Sequence, residues 1–490
     1  MHLTVGCASK DEYYKDIIYG DTQNFEAGIL REEFKNKNIR KNRTFDCIIV
    51  DEVDSISLDN IITMTQLTDN FPGRSCFYSF YYQILICYTY YISELLKKNS
   101  GKSQEYYLQN PNEFKDSIKK YIKEKFQKKF LNSDGTILDY DKENFPIIYP
   151  KCMKKYIENS LDIWIENVMK ASTMVEYRDF IKKTDNIIPV DYLNTGVLQN
   201  NMVWDGGLQQ YLQIIHNEKG TYENESTNFL SNVSFFKRYK GNIYGVTGTF
   251  GGAGFQKILR EVYNVNLFKI PPNKDSLLKD LGGKICSDEK EHSNEILKNI
   301  EYILSEKRSV LLICNSIIDG KNFYEILYKK YKTKVMKYFT EEDNETIEKI
   351  LDVGEIIVAT NLAGRGTDIK ISNKLEENGG LHVLVSFFPL NQRIEDQNYG
   401  RAGRKGQKGS YNLIIIYNNE YGYLNKDELN LENIKKKREE FELKNIDLLI
   451  KNEMIFIEKK EDLFKKFCLY LKGNYKKNDN KYFEKKSIEE

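Results

Sequence analysis

Histidine, proline, paired cysteine and surplus charge are all scarce in this chain of 490 residues, and each shortage removes a class of function. The four histidines (2, 216, 292 and 382) have no metal-ligand spacing. The eight cysteines (7, 47, 76, 87, 152, 286, 314 and 468) form no Cys-x-x-Cys pair, and several sit in apolar runs. That pattern suits reduced, buried thiols of a cytosolic protein rather than a zinc site or a disulfide framework. Lys+Arg 73 against Asp+Glu 72 leaves a net charge of +1, which argues against a broadly basic nucleic-acid binder, although a neutral total can hide a basic stripe. No signal peptide is evident, and no apolar run reaches the roughly 20 residues a membrane-crossing helix needs. The nearest, Phe77 to Ile92, has sixteen residues and includes Gln83 and six tyrosines, so a buried or interfacial helix is expected. The 8 prolines and 35 tyrosines, with abundant Lys, Asn and Ile, report the base composition of a genome more than a mechanism.

Against that background the Gly-Arg loops stand out. The apolar run Glu355-Ile356-Ile357-Val358-Ala359 ends in Thr360-Asn361-Leu362-Ala363-Gly364-Arg365-Gly366-Thr367-Asp368-Ile369. Further on, Gln397-Asn398-Tyr399-Gly400-Arg401-Ala402-Gly403-Arg404 carries two arginines spaced i, i+3. In a parallel α/β sheet the ligand crevice lies at the carboxyl ends of the strands, where both loops would fall. A guanidinium presented there matches a nucleotide's γ-phosphate and can neutralise charge in phosphoryl transfer. Near the N-terminus, Phe45-Asp46-Cys47-Ile48-Ile49-Val50 reads as a strand covered on both faces and ends in Asp51-Glu52-Val53-Asp54, a Walker B pattern. An acid at that point can hold nucleotide-bound magnesium, and its neighbour can position the attacking water. Tyr244-Gly245-Val246-Thr247-Gly248-Thr249 is a third strand, ending in small hydroxyl residues. Together these read as motifs from two RecA-like lobes.

The chain resembles SecA, the family of motor ATPases of protein translocation. The resemblance rests on Leu3-Thr4-Val5-Gly6, Asp16 to Gly20, Ile29 to Glu32, Asp51 to Ser55, Val203-Trp204-Asp205-Gly206-Gly207-Leu208-Gln209-Gln210, Thr247-Gly248-Thr249, Ala359 to Ile369, Gly379-Gly380-Leu381-His382 and Arg393 to Arg404. Gln209 stands where the family's Trp signature has His, and Gly251-Gly252-Ala253-Gly254 replaces its acidic residues. The Gly-x-x-x-x-Gly-Lys-Ser/Thr loop is absent, as is a C-terminal cysteine cluster. After about residue 425 a single long helical stretch is expected, far short of the family's scaffold and two-helix finger. An upstream strand and Gly-Lys-Thr/Ser loop, encoded before Met1, are therefore expected.

The expected fold is α/β: two RecA-like P-loop-type lobes, the first lacking its Walker A part, with a helical insertion and a short helical C-terminal region. Residues 1–60 and 186–272 would form the partial first lobe, and 61–185 a helical insertion at the position of the preprotein-cross-linking domain. Residues 273–425 would form the second lobe, reached through a hinge at Ile270-Pro271-Pro272-Asn273, then 426–475 a helical region and 476–490 a charged, disordered tail. The resemblance implies ATP and Mg2+ as cofactors. It makes Asp51 (also the metal ligand), Glu52, Arg401 and Arg404 the candidate catalytic residues, and Gly364, Gly366, Asp368 and Gln397 the nucleotide contacts. Gln397 could instead join the lobes, as could Thr247 and Thr249. A client polypeptide or preprotein is the implied partner and the cytoplasm the implied location, with peripheral membrane or translocon contact left open. Two alternatives remain open: a pseudo-ATPase or interaction protein with an incomplete nucleotide site, and an RNA-dependent helicase-like ATPase, which the near-zero charge and the Trp segment disfavour.

Overall fold

The structure, a computed structural model, describes residues 3–35, 38–54, 61, 63–70, 75–98, 114–130, 153–183, 186–190, 202–249, 251–339, 343, 345–360, 368–417 and 429–475. Gly364, Gly366 and the 476–490 tail lie outside them.

The first lobe is built from short pieces. Strands β1 (Val5–Cys7) and β2 (Ile17–Tyr19) pair in parallel and lead into helix α1 (Thr22–Lys35). Strand β3 (Ile48–Val50) carries the Walker B run, and β4 (Met64–Asn70) follows. The chain then leaves the lobe through α2 (Ser75–Lys98), α3 (Lys115–Phe130) and α4 (Lys154–Thr173). A hairpin of β5 (Phe180–Lys183) and β6 (Asn186–Pro189), then α5 (Leu208–Ile215), complete this excursion.

The aromatic stretch from Phe77 is the spine of that helical unit. Phe77, Tyr81, Ile84, Tyr88 and Ile92 recur at helical spacing and are buried, while Tyr82, Ile86 and Tyr90 remain exposed on the opposite face. Trp164 of α4 sits between them, its ring centroid 5.4 Å from Phe77 and 5.2 Å from Tyr81. The Trp204 segment packs against the same cluster. Its Gly207 has φ 81° and touches the Tyr81 ring, where a Cβ would lie 2.5 Å from a ring carbon. Only glycine fits there.

Re-entry into the first lobe comes with β7 (Asn224–Ser231), antiparallel to β4, and α6 (Asn232–Lys237), whose first turn is capped by the Ser231 hydroxyl. Strand β8 (Ile243–Gly245) then lies parallel to β3, and α7 (Ala253–Glu261) ends the lobe.

The second lobe alternates strand and helix: β9 (Leu277–Cys286), α8 (Glu289–Ser305), β10 (Ser309–Cys314), α9 (Ile317–Tyr331), β11 (Val335–Tyr338), α10 (Glu345–Glu348), β12 (Ile356–Thr360), α11 (Asn373–Glu377), β13 (Leu381–Val385), α12 (Gln392–Tyr399) and β14 (Lys408–Ile416). These strands form one parallel six-stranded sheet in the order β11-β12-β10-β13-β14-β9. Each apolar strand feeds both faces. Leu311 and Ile313 join one core with Leu375, Tyr399 and Ile434, while Val310, Leu312 and Cys314 join the other with Ile296, Ile300 and Leu327. Side-chain caps from Asp288, Ser316 and Asn391 start α8, α9 and α12 where the strand-end loops turn back.

Beyond the second lobe, α13 (Leu431–Leu448) runs through a π-helical turn at Leu449–Met454 into α14 (Ile455–Tyr475). No helix among the described residues is long and apolar enough to cross a membrane.

Candidate functional site between the lobes

The Walker B turn is stitched to the Thr-Gly-Thr strand by backbone bonds. Val246 N–H donates to Val50 O at 2.9 Å, and Val53 N–H donates to Val246 O at 3.1 Å. This places Asp51 at the carboxyl end of β3, exposed to solvent. Glu52 follows in the left-handed region (φ 48°), its N–H donating to Asp51 Oδ1 at 2.9 Å. A non-glycine residue held there is uncommon outside turns and functional loops.

Asp54, two residues on, is fully buried and is the meeting point of the two lobes. From the first lobe, Thr247 Oγ1 donates to its Oδ1 at 3.0 Å and Thr249 Oγ1 to its Oδ2 at 3.2 Å. From the second lobe, Gln397 Nε2 donates to Oδ2 at 2.8 Å and Arg393 Nη1 forms an ion pair with it at 3.2 Å, both side chains of the pair being almost completely buried. Gln397 also reaches Thr249 Oγ1 at 3.4 Å. Arg393 and Gln397 are one turn apart on α12, so a single helix face presents both to the same carboxylate.

The two arginines of the Gly-Arg loop occupy different environments. Arg401 is buried, and burial together with the neighbouring Arg404 pushes its guanidinium down to about 10. Glu52 and Asp368 act on it in the opposite direction, so the first-lobe carboxylate is within electrostatic reach of the second-lobe arginine. Arg404 is instead held within its own lobe. It donates Nη1 to Asp368 Oδ1 at 3.1 Å and Nε to Gly400 O at 3.0 Å. Lys405 Nζ joins the other Asp368 oxygen at 3.3 Å. The hydrogen bond from Arg404, followed by Lys405, holds the Asp368 carboxyl below its usual range.

Thus Glu52 is within electrostatic reach of Arg401 across the lobes, Asp368 and Arg404 come together within one, and Gln397 is an interlobe contact. Asp51 stands free of these pairs at the strand end. Reasoning from sequence assigned no role to Asp54 or Arg393. The available signal was the fourth position of Asp51-Glu52-Val53-Asp54 and the one-turn spacing of Arg393 and Gln397.

Two family models account for the chain in order. The SecA DEAD-like domain matches residues 6–254, and the SecA P-loop domain matches residues 276–378, which lie in the second lobe. Protein translocase subunit SecA 2 of Nitrosospira multiformis is 33% identical over 254 residues, covering 51% of this chain and 38% of that protein. Protein translocase subunit SecA of Buchnera aphidicola subsp. Schizaphis graminum is 28% identical over 448 residues, covering 83% of this chain and 48% of its own length. The chain therefore spans less than half the length of these two relatives. Among solved structures, Mss116p bound to ssRNA and AMP-PNP has 16% identity and a TM-score of 0.29 over 39% of this chain and 40% of that one, too slight a likeness to argue from. With the DEAD-like model matching half of its residues, the insertion included, the chain belongs to the SecA family.

Proposed function

We propose that this chain is the lobe-pairing part of a SecA-type motor that couples ATP hydrolysis to the movement of a client polypeptide. It would act in the cytoplasm, with peripheral contact to a membrane or translocon. The observation that carries the reading is Asp54, which binds Thr247 and Thr249 of one lobe and Arg393 and Gln397 of the other. Such an arrangement can sense a nucleotide only when both lobes close on it.

Among the described residues no three His, Cys, Asp or Glu side chains group into a metal cage. Mg2+ at a nucleotide is held by one or two carboxylates plus substrate phosphates rather than by a dedicated all-protein cage. Asp51, exposed at the strand end, would hold the ion through water, which supplies charge neutralisation at the phosphates. Glu52 would orient the attacking water. Arg401 and Arg404 would bind the γ-phosphate, with Asp368 fixing the fork of Arg404 and contacting the ribose. Gly364 and Gly366 would allow close backbone approach, and Gln397 would report closure through Asp54.

A partner-binding role without turnover is favoured by one observation: these 490 residues contain no Gly-x-x-x-x-Gly-Lys-Ser/Thr loop. Both readings make the same first prediction. ATP turnover by residues 1–490 alone should be indistinguishable from buffer, against roughly 1–10³ s⁻¹ for ordinary enzymes. The readings part when a relative's first-lobe strand and Gly-Lys-Thr/Ser loop are supplied. Turnover stimulated by an unfolded preprotein supports the motor; turnover stimulated only by RNA, or none, defeats it. In that completed form Arg404→Lys should lower kcat by about 10²-fold with KM nearly unchanged, because lysine keeps the charge but loses the planar fork.

A further inference from the structure

Helix α13 crosses from one lobe to the other directly behind the interlobe carboxylate. Its start belongs to the second lobe, where Ile434 is fully buried in the core. Its end belongs to the first lobe: Ile446 packs into that core and against Gly254 of α7, and Asp447 pairs with Lys257 at 2.6 Å. Gly254, one of the residues that departs from the family's acidic pattern, is what lets the helix come so close.

Between these anchors lies a buried charge cluster. Arg438, 1% exposed, pairs through Nη1 with Glu395 Oε2 of α12 at 2.7 Å, donates to Pro389 O at 3.1 Å, and covers the Phe388 ring at 4.8 Å. Lys435, one turn earlier, reaches Glu395 Oε1 at 2.5 Å. Glu442, one turn later, is pushed up by burial and lies within electrostatic reach of both Arg438 and Arg393. Glu395 sits between Arg393 and Gln397 on the same short helix, facing away from Asp54. A carboxylate buried there would expel α12 toward solvent unless a cation met it.

We propose that Arg438 is a positioning residue: as the buried cation on Glu395, beside the part-exposed Lys435, it fixes the seat of α12, so that Arg393 and Gln397 meet Asp54. The C-terminal helix thereby sets whether the lobes are latched, and any movement of α13 is felt at the Thr247–Thr249 strand end, which Arg438 does not touch. The proposal rests on the motor reading only for what the latch is used for.

The test is hydrogen exchange, read by mass spectrometry on the 1–490 chain without nucleotide. In Arg438→Met, amides of 392–399 and of 246–249 should exchange about tenfold faster than in the parent, while those of β10 and β13 stay unchanged. Glu395→Gln/Arg438→Met, which removes both charges, should return both segments to within about twofold. Arg438→Lys, which keeps the cation but loses the planar guanidinium that covers the Phe388 ring, should fall between. If Arg438→Met does not fold, Arg438→Lys decides: exchange at 246–249 equal to the parent's overturns the proposal. Loosening confined to 392–399, or a double variant as loose as Arg438→Met, overturns it too. The motor reading is judged separately, by preprotein-stimulated turnover in the completed form, so its failure leaves this inference standing, whereas unmoved 246–249 amides in the 1–490 chain sink this inference alone.

Discussion

In the second lobe every residue of β10, β12 and β13 is buried, each strand has a parallel neighbour on both edges, and helices cover both faces. Among the described residues of the first lobe, β3 and β8 pair only with each other. Ile49 of β3 is 77% exposed, Tyr244 of β8 61% and Val246, just past β8, 57%, although apolar residues of parallel strands elsewhere are buried. A cleft of about 800 Å³ opens beside β8, walled by Phe255, Leu259, Phe268 and Ile270. The difference teaches that the Walker B strand is held in place less by its own sheet than by contacts made at its end. Val53 bonds to Val246, and Asp54 bonds to both lobes. The complete lobe acts as the template on which the sparse one is arranged.

Removing that end contact is the strongest way to break the relation. Asp54→Ala leaves the buried Arg393 guanidinium without its carboxylate, a change of the class that costs about 3–5 kcal/mol. The loss should fall on the first lobe, since the second keeps its sheet. Denaturant unfolding followed by hydrogen exchange of each lobe would show 243–249 exposed well before 309–314. Simultaneous exposure of both segments would mean that the lobes stand or fall together and that the template view is wrong.

A matched pair of core truncations sharpens the same contrast. Leu312→Ala in β10, fully buried, should cost about 2–5 kcal/mol. Ile49→Ala in β3 removes a side chain that is mostly in water and should stay within about 0.5 kcal/mol in the 1–490 chain. Equal effects in a thermal or denaturant titration would show that the face of β3 is covered in solution.

The same asymmetry decided what could be read from sequence. Val310–Cys314, Ile356–Thr360 and Val383–Val385 are continuous apolar runs bounded by polar or glycine residues, and each became a buried parallel strand. The Lys/Tyr/Glu-rich pattern from Glu113 to Phe130 and from Tyr156 to Met169 reads as helical, and helices span Lys115–Phe130 and Lys154–Thr173. Strand order did not follow, because crossovers are tertiary choices that leave no local mark. The long helical stretch expected after residue 425 runs unbroken from Leu431 to Tyr475, with a π-turn at Leu449–Met454 that the sequence does not announce. At the site, Asp51, Glu52, Arg401 and Arg404 were singled out because their chemistry is carried by residue type and loop context. Asp54 was missed because its partners Thr247 and Gln397 lie 193 and 343 positions away. The i, i+3 spacing of Arg401 and Arg404 could not tell that one faces the other lobe while the second is tied to Asp368.

The smallest effect expected is on pH dependence, where the two lobes should respond in opposite directions. In the second lobe His382 is fully buried, bonded to Ser410 Oγ at 2.8 Å and to Asn299 and Asn412 at 3.1 Å, and burial pushes it down to about 3. In the first lobe Glu26 is fully buried, accepts from the Thr65 hydroxyl, and is pushed up to about 8, first by burial and then by the charge of Glu461. For His382 the unfolded chain takes up a proton near 6.5 that the folded lobe refuses. Stability is therefore complete above about 6.5 and declines as pH falls toward 3. For Glu26 the folded lobe keeps a proton that the unfolded chain releases near 4.5. Its contribution is therefore complete below that value and declines as pH rises toward 8. Each slope is at most about 1.4 kcal/mol per pH unit. Hydrogen exchange corrected for intrinsic rates should show α1 and β4 loosening between pH 7 and 8 while β13 and β14 hold, and the reverse between pH 6 and 5. Glu26→Gln should flatten the first-lobe profile and leave the second untouched. Parallel profiles in the two lobes, or a Glu26→Gln chain with an unchanged alkaline slope, would show that these buried groups do not distinguish them.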